Sequence, residues 1–111
     1  MKNYIQPGET ITLTAPYAVS SGGGALVGAI FGVAVGDVAN GAQGEFRTTG
    51  VYSLTKETGT AWAVGDLIYW DNTNRRCTKT ATNNKLIGVA VAAAASGDAV
   101  GRVRLNGAFI S

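Results

Sequence analysis

The sequence predicts an all-β fold, a small barrel or sandwich of short antiparallel strands, and three observations support this prediction. Short runs rich in β-branched and aromatic residues recur along the chain. Turn-forming residues separate these runs about every ten positions. The 111 residues include 16 glycines and only two prolines, so the chain can turn often. A chain of this length forms one domain, and we expect an extended N-terminal arm over residues 1–9 and a single β domain over residues 10–111.

The first half of the chain contains three extended regions. Residues 10–14 alternate polar and apolar side chains, as a half-buried strand does. Residues 25–35 form a continuous apolar run, which predicts a strand that is buried on both faces or bent at its glycines. Residues 45–47 and 50–54 form a further extended stretch.

A hairpin is predicted near the middle of the second half. Leu-Ile-Tyr-Trp at residues 67–70 favours a strand. Residues 71–74 supply turn chemistry, and residues 76–80 return as the second arm. The remaining strands are predicted at residues 86–92 and 101–110, and short helical candidates lie at residues 56–63 and 92–96.

Two segments recur in the same order. Phe-Gly-Val-Ala-Val at residues 31–35 is matched by Ile-Gly-Val-Ala-Val at residues 87–91, 56 positions later. Residues 44–52 and 101–109, 57 positions apart, share the pattern G-x-[FV]-R-x-x-G-[VA]-[YF]. This predicts a duplicated unit of three strands, two copies of which pack into one barrel or sandwich. Coincidence in a chain rich in Gly, Ala and Val is the alternative.

The repeated pattern also predicts the roles of particular residues. Gly50 and Gly107 are expected to adopt positive φ or to form bulges before short apolar strands. Arg47 and Arg104 alternate with apolar residues, so their side chains should point away from the core. We interpret each as a solvated or partner-facing position on a strand.

Composition excludes several kinds of chemistry. The chain has no histidine, so neither a histidine base nor a histidine metal ligand is available. Cys77 is the single cysteine, which excludes an internal disulfide framework. Only 14% of residues are charged, and the net charge of +2 gives no whole-chain argument for nucleic acid. So few charges indicate a surface that a partner covers.

The charge is unevenly distributed. Residues 1–61 carry three basic and four acidic side chains, whereas residues 62–111 carry six basic and three acidic ones. The opening residues lack the apolar core of a secretory signal. The longest uncharged apolar stretch, residues 25–36, is shorter than the roughly 20 residues that span a bilayer. We therefore expect a soluble protein with no membrane partner.

Three candidate reactive motifs are better explained as structure. The glycines at residues 22–24 are not followed by the Lys and Ser or Thr of a phosphate-binding loop. Residues 71–74 lack the Gly and Glu that complete a calcium loop. The cations Arg76 and Lys79 could lower the pKa of Cys77, but without histidine no thiol dyad can form. We predict no enzymatic activity, no metal and no cofactor.

Six residues are candidates for contact with a partner protein or a sister subunit. A basic hairpin could contact nucleic acid, but aromatic residues are sparse there, and an acidic protein surface explains it equally well; we predict no nucleic-acid partner. The N-terminal arm could order on a partner, with simple terminal disorder as the alternative. The candidates are Tyr4, Ile5 and Pro7 in the arm and Arg75, Arg76 and Lys79 in the hairpin.

Blocks spread over nearly the whole chain carry a family resemblance through their order and spacing. They are Pro16–Gly22, Leu26–Gly28 with Phe31–Ala34, Gly44–Phe46, Gly50–Leu54 with Lys56, Ala61–Trp62 with Gly65–Asp71, Ile87–Ala90, and Val103–Gly107. Together these blocks resemble the small tailed-phage capsid cement proteins, also described as head decoration proteins.

The resemblance implies a structural virion protein without catalytic residues. Such a protein binds the outer surface of the phage head, contacts the major capsid protein and stabilises its shell, commonly as a trimer. A phage tail or baseplate carbohydrate-binding module is the alternative, with Trp62 and Trp70 stacking on sugar beside Tyr69. That alternative requires at least one exposed tryptophan. An enzyme accessory domain, the third hypothesis, requires a cleft with converging polar groups.

Overall fold

The computed structural model describes residues 8–107, which form nine β-strands and no helix. The predicted all-β fold is confirmed. The strands are β1 (Thr10–Thr14), β2 (Gly24–Val27), β3 (Ile30–Ala34), β4 (Gln43–Arg47), β5 (Thr49–Thr55), β6 (Leu67–Asp71), β7 (Arg76–Thr78), β8 (Lys85–Ala90) and β9 (Val100–Asn106).

The strands form two antiparallel sheets. The four-stranded sheet has the order β1-β4-β3-β2, and the five-stranded sheet has the order β5-β9-β8-β6-β7. The two outer strands of the larger sheet approach each other, because Lys56, after β5, bridges Cys77 in β7. The N–H of Glu57 donates to the Cys77 carbonyl at 2.9 Å. The five-stranded sheet therefore curls into a half-barrel.

Two predicted elements take another form in the structure. The apolar run at residues 25–35 is a hairpin that bends at Gly28, whose φ of 59° opens the two-residue turn between β2 and β3. The helical candidates at residues 56–63 and 92–96 are not helical. Instead, Trp62 and Ala94 form an antiparallel bridge between these two segments, in which each backbone N–H donates to the carbonyl of the other residue.

Two equivalent four-stranded units make up the fold. We call residues 10–47 the first unit and residues 51–104 the second unit. Strand β1 corresponds to β5, β2 to β6, β3 to β8 and β4 to β9, and the strand order is the same in both. The register also agrees: Thr10–Arg47 corresponds to Val51–Arg104, Ala34–Phe46 to Ala90–Val103, and Gly24–Val33 to Leu67–Val89. The repeated unit therefore has four strands rather than the predicted three.

An inserted segment distinguishes the second unit from the first. Strands β2 and β3 are joined by a two-residue turn, whereas residues 72–84 separate β6 from β8 and include β7. The insertion completes the predicted hairpin with β6. It also carries Arg75, Arg76 and Lys79, so the predicted basic contact site belongs to the part of the fold that the first unit lacks.

The two units share the larger of two buried clusters. A small buried cluster lies within the first unit and includes Ala25 and Phe46. The larger cluster consists of second-unit side chains together with Phe31 and Val33 from β3. The ring centroid of Phe31 lies 4.9 Å from that of Trp70. The first sheet thus contributes to both clusters and completes the core of the half-barrel.

Two equivalent glycines make room for core side chains. A Cβ atom added at Gly44 would lie 2.3 Å from Cγ2 of Val38. A Cβ atom added at Gly101 would lie 2.2 Å from the Trp62 ring. Both distances are impossible for real atoms, which explains why the repeated pattern begins with glycine.

The other expectations from the repeat are met. Gly50 and Gly107 have φ angles of 111° and 76°. The side chains of Arg47 and Arg104 are exposed, and the apolar residue that precedes each of them is buried.

We expect Gly101→Ala to lower the free energy of unfolding by about 1–3 kcal/mol, because the new methyl group overpacks the core against Trp62. Urea unfolding of wild type and variant measures the change. Gly97→Ala is the matched control, since nothing lies within 4 Å of its added Cβ, and it should change stability by less than about 0.5 kcal/mol. A Gly101→Ala protein as stable as wild type would contradict the packing described.

Candidate interaction surface

The turn of the basic hairpin is built around Asp71. Its Oδ1 atom accepts hydrogen bonds from the N–H of Thr73 at 3.0 Å and of Asn74 at 3.2 Å. The side-chain amide of Asn74 donates to Oδ2 at 2.8 Å. These bonds, the side-chain one first, lower the pKa of Asp71. The carboxylate therefore stabilises the turn that the sequence predicts at residues 71–74.

Arg75 connects the hairpin to the first unit. Its guanidinium carbon lies 3.7 Å from the centroid of the Tyr17 ring, a cation–π contact. The Tyr17 hydroxyl donates to the Gly24 carbonyl at 2.7 Å. Partial burial raises the pKa of Tyr17, and the nearby Arg75 charge partly opposes this. The exposed Arg75 side chain therefore rests on a ring that is fixed at the edge of β2.

The other two hairpin cations are paired within the chain. Nη2 of Arg76 lies 3.7 Å from Oε1 of Glu57. Nζ of Lys79 lies 3.0 Å from Oδ2 of Asp66. The pKa of Asp66 is lowered, first by the hydrogen bond from the Ala63 N–H and then by Lys79. The hairpin is therefore less basic toward a partner than its sequence suggests.

The candidate residues Tyr4, Ile5 and Pro7 lie outside the described residues, and their contact role stays a prediction. The last two residues of the predicted arm are described. The N–H of Thr48 donates to the Glu9 carbonyl at 2.7 Å, and its hydroxyl donates to the Gly8 carbonyl at 3.0 Å. The chain therefore reaches the first unit beside Thr48, where the two units are joined.

A second basic surface lies on strand β9 and its neighbours. Arg102 and Arg104 are exposed, and neither forms an ion pair within residues 8–107. We call this surface the arginine face. It combines these two cations with large exposed apolar side chains, which are Val51, Leu67, Val91 and Val100.

Arg102 was missed by the sequence reasoning, although a signal for it exists. Residues 100–106 alternate exposed and buried side chains without interruption, so Arg102 shares its orientation with Arg104. The two arginines are two positions apart on one strand, which places both on the same face.

A comparison with protein families shows which family the chain belongs to. A model of the phage cement protein family matches residues 5–105. The chain belongs to the phage cement protein family. A comparison with curated proteins and with solved structures found no significant match.

Membership in the cement family confirms the resemblance carried by the sequence blocks. It gives the chain a structural role in the phage capsid and a place in the virion. The family match extends over both units and the inserted hairpin.

The carbohydrate-binding alternative lacks its platform in this cement protein. Trp62 and Trp70 are only 3% and 2% exposed. The indole N–H of Trp70 donates to Oδ1 of Asn72 at 3.1 Å. Both tryptophans are core residues, so neither ring can stack on a sugar.

The glycine-rich loop and the cysteine also have structural roles. The N–H groups of Gly22 and Gly23 donate to the carbonyls of Ala34 and Ser20, so they are not available to an anion. Cys77 is fully buried, and burial raises its pKa to about 12. Its thiol is protonated at neutral pH, despite the neighbouring cations.

A cleft of about 310 Å³ separates the glycine-rich loop from the end of β5. Its ionisable lining side chains are Tyr17 and Arg75, which contact each other, so it offers no nucleophile–base pair. No cluster of three or more metal-ligating side chains occurs in the part of the chain that the structure describes. Residues 8–107 also contain no helix with the length and hydropathy of a membrane span.

We expect acid to weaken the fold partly through Asp71. Its pKa is lower in the folded protein than in the unfolded chain, so its stabilising contribution is present above the unfolded value, near pH 4. That contribution is lost as the pH falls through the lower folded value. Asp71→Asn removes the titration and keeps an acceptor oxygen.

Urea unfolding between pH 6 and pH 2.5 tests this expectation. The free energy of unfolding should fall less steeply with acid in Asp71→Asn than in wild type. Equal pH dependence in the two proteins would show that Asp71 does not contribute.

Proposed function

We propose that this cement protein binds the outer surface of the phage head, contacts the major capsid protein and stabilises the shell as a homotrimer. The single observation that carries the proposal is the family match over residues 5–105. The low charge content supports it, because a protein with so few charges gains from a covered surface.

The composition of the arginine face supports the proposal that the partner is a protein. Arginine and apolar side chains together are typical of protein–protein interfaces. Arg104, which forms no ion pair in the described chain, would favour an acidic surface on that partner. Val51 and Val100 are 54% and 52% exposed, so their burial would add an apolar gain to the electrostatic one.

The hairpin contributes to the proposed contact chiefly through Arg75. This side chain is exposed and carries no carboxylate partner within the described residues. Arg76 and Lys79 would contact a partner with their charges already paired. We propose that Tyr4, Ile5 and Pro7 add a strand or anchor residues to the same contact.

The fold suits a clamp rather than a catalyst. The exposed features of residues 8–107 are sheet faces, strand edges and a short hairpin, whereas most aromatic side chains in this range and Cys77 lie in the core. Many copies on one shell would give a large total stabilisation even if each contact were weak.

We expect phage heads that lack this protein to rupture at a lower temperature than complete heads, and added purified protein to restore the higher value. The reason is that any ligand binding only the intact shell stabilises it by mass action. Release of packaged DNA, followed by dye fluorescence during heating, measures rupture. An equal concentration of an unrelated protein is the control, and identical rupture temperatures with and without the cement protein would contradict the proposal.

A further inference from the structure

Two rows of exposed side chains occupy equivalent places in the two units. In the first unit, Thr12 in β1 lies opposite Glu45 in β4. The N–H of Val35 donates to the Glu45 carbonyl at 3.0 Å, which places Val35 on the other side of Glu45. We call Thr12, Glu45 and Val35 the acidic row.

The second unit repeats this row with the charge reversed. Ser53 in β5 lies opposite Arg102 in β9, and the N–H of Val91 donates to the Arg102 carbonyl at 3.1 Å. We call Ser53, Arg102 and Val91 the basic row. Each row contains a hydroxyl residue, a charged residue and a valine, and the sign of the charge is reversed between the two rows.

Both rows are accessible. The valines Val35 and Val91 are 48% and 36% exposed. The Glu45 carboxylate accepts a hydrogen bond from the Thr12 hydroxyl at 2.6 Å, and it forms no ion pair within residues 8–107. Arg102 likewise has no ion pair there. Among residues 8–107, neither charge is paired with an opposite one.

The charge reversal is confined to this position. The next position along the same strands is an arginine in both units, Arg47 in the first and Arg104 in the second. Equivalent surfaces that differ at a single charge can complement each other, whereas either surface facing its own copy places like charges together.

We propose that the acidic row of one copy of this chain packs against the basic row of the next copy. The valines would bury apolar area, and Glu45 would form a charge-assisted pair with Arg102. Two acidic rows or two basic rows would repel each other, which disfavours contacts between like rows. When the two rows of one copy face different neighbours, the contacts run head to tail. Such contacts close into a ring when the rotation between copies allows it.

This inference rests on the self-association part of the proposed function and not on the capsid contact. The choice of a second copy follows from the pairing of the rows. An acidic shell surface would use Arg102 alone and would have no use for Glu45. A contact between copies requires both.

A charge-swap experiment tests the contact. The proteins are wild type, Glu45→Arg, Arg102→Glu and the double variant that carries both changes. Sedimentation velocity over a concentration series measures association, and circular dichroism establishes that each variant is folded. We expect each single variant to associate about tenfold or more weakly than wild type, and the double variant to recover association. Lys85→Glu, an exposed charge outside both rows, is the matched control and should associate like wild type.

The outcomes separate this inference from the proposed function. Wild type that stays monomeric at every concentration overturns both the row contact and the trimer, while binding to heads still tests the cement role. An oligomer that persists in Glu45→Arg overturns the row contact alone. Loss of head binding by Arg102→Glu, with its association unchanged, assigns Arg102 to the shell and also overturns the contact proposed here.

Discussion

The packing of β3 against the half-barrel is the interaction on which the rest of the structure depends. The side chains of Phe31 and Val33 extend from the first sheet into the larger buried cluster, where the centroid of the Phe31 ring lies 4.9 Å from that of the Trp70 ring. A four-stranded unit with its own small cluster could not shield both faces of its sheet. The second unit supplies the missing cover, so the two units are stabilised by the same buried side chains.

This packing makes equivalent positions unequal. Val33 is 2% exposed because the second unit covers it. Its equivalent, Val89, lies in register between Leu67 and Arg104 on the uncovered face of the second unit. The second unit therefore covers part of this face in the first unit, whereas the equivalent face of the second unit stays exposed within the described chain. The arginine face is a consequence of this asymmetry.

The sequence predicted the fold class and most strands, because alternation and turn residues are local signals. It revealed the repeat only in β3, β4, β8 and β9, where core side chains packed against the strands demand glycine at Gly44 and Gly101. Elsewhere the units differ in side-chain size: the bridge between Val19 and Val38 becomes one between Trp62 and Ala94, and both versions fill the same space.

The candidate site was harder to predict than the fold. Whether a charged side chain is available to a partner depends on ion pairs with residues distant in the chain. Arg76 forms an ion pair with Glu57 across the half-barrel, which no local pattern shows. The equivalence of Arg102 and Glu45 becomes visible only from the register of Arg102 with Ser53.

The central claim is that the two units fold as one body through their shared core. Differential scanning calorimetry tests this most directly, by comparing the calorimetric enthalpy of unfolding with the van't Hoff enthalpy from the shape of the transition. We expect one transition, with a ratio of calorimetric to van't Hoff enthalpy of about one. Two separate transitions, or a ratio of about two in dilute protein, would show that the units unfold independently and would contradict the account.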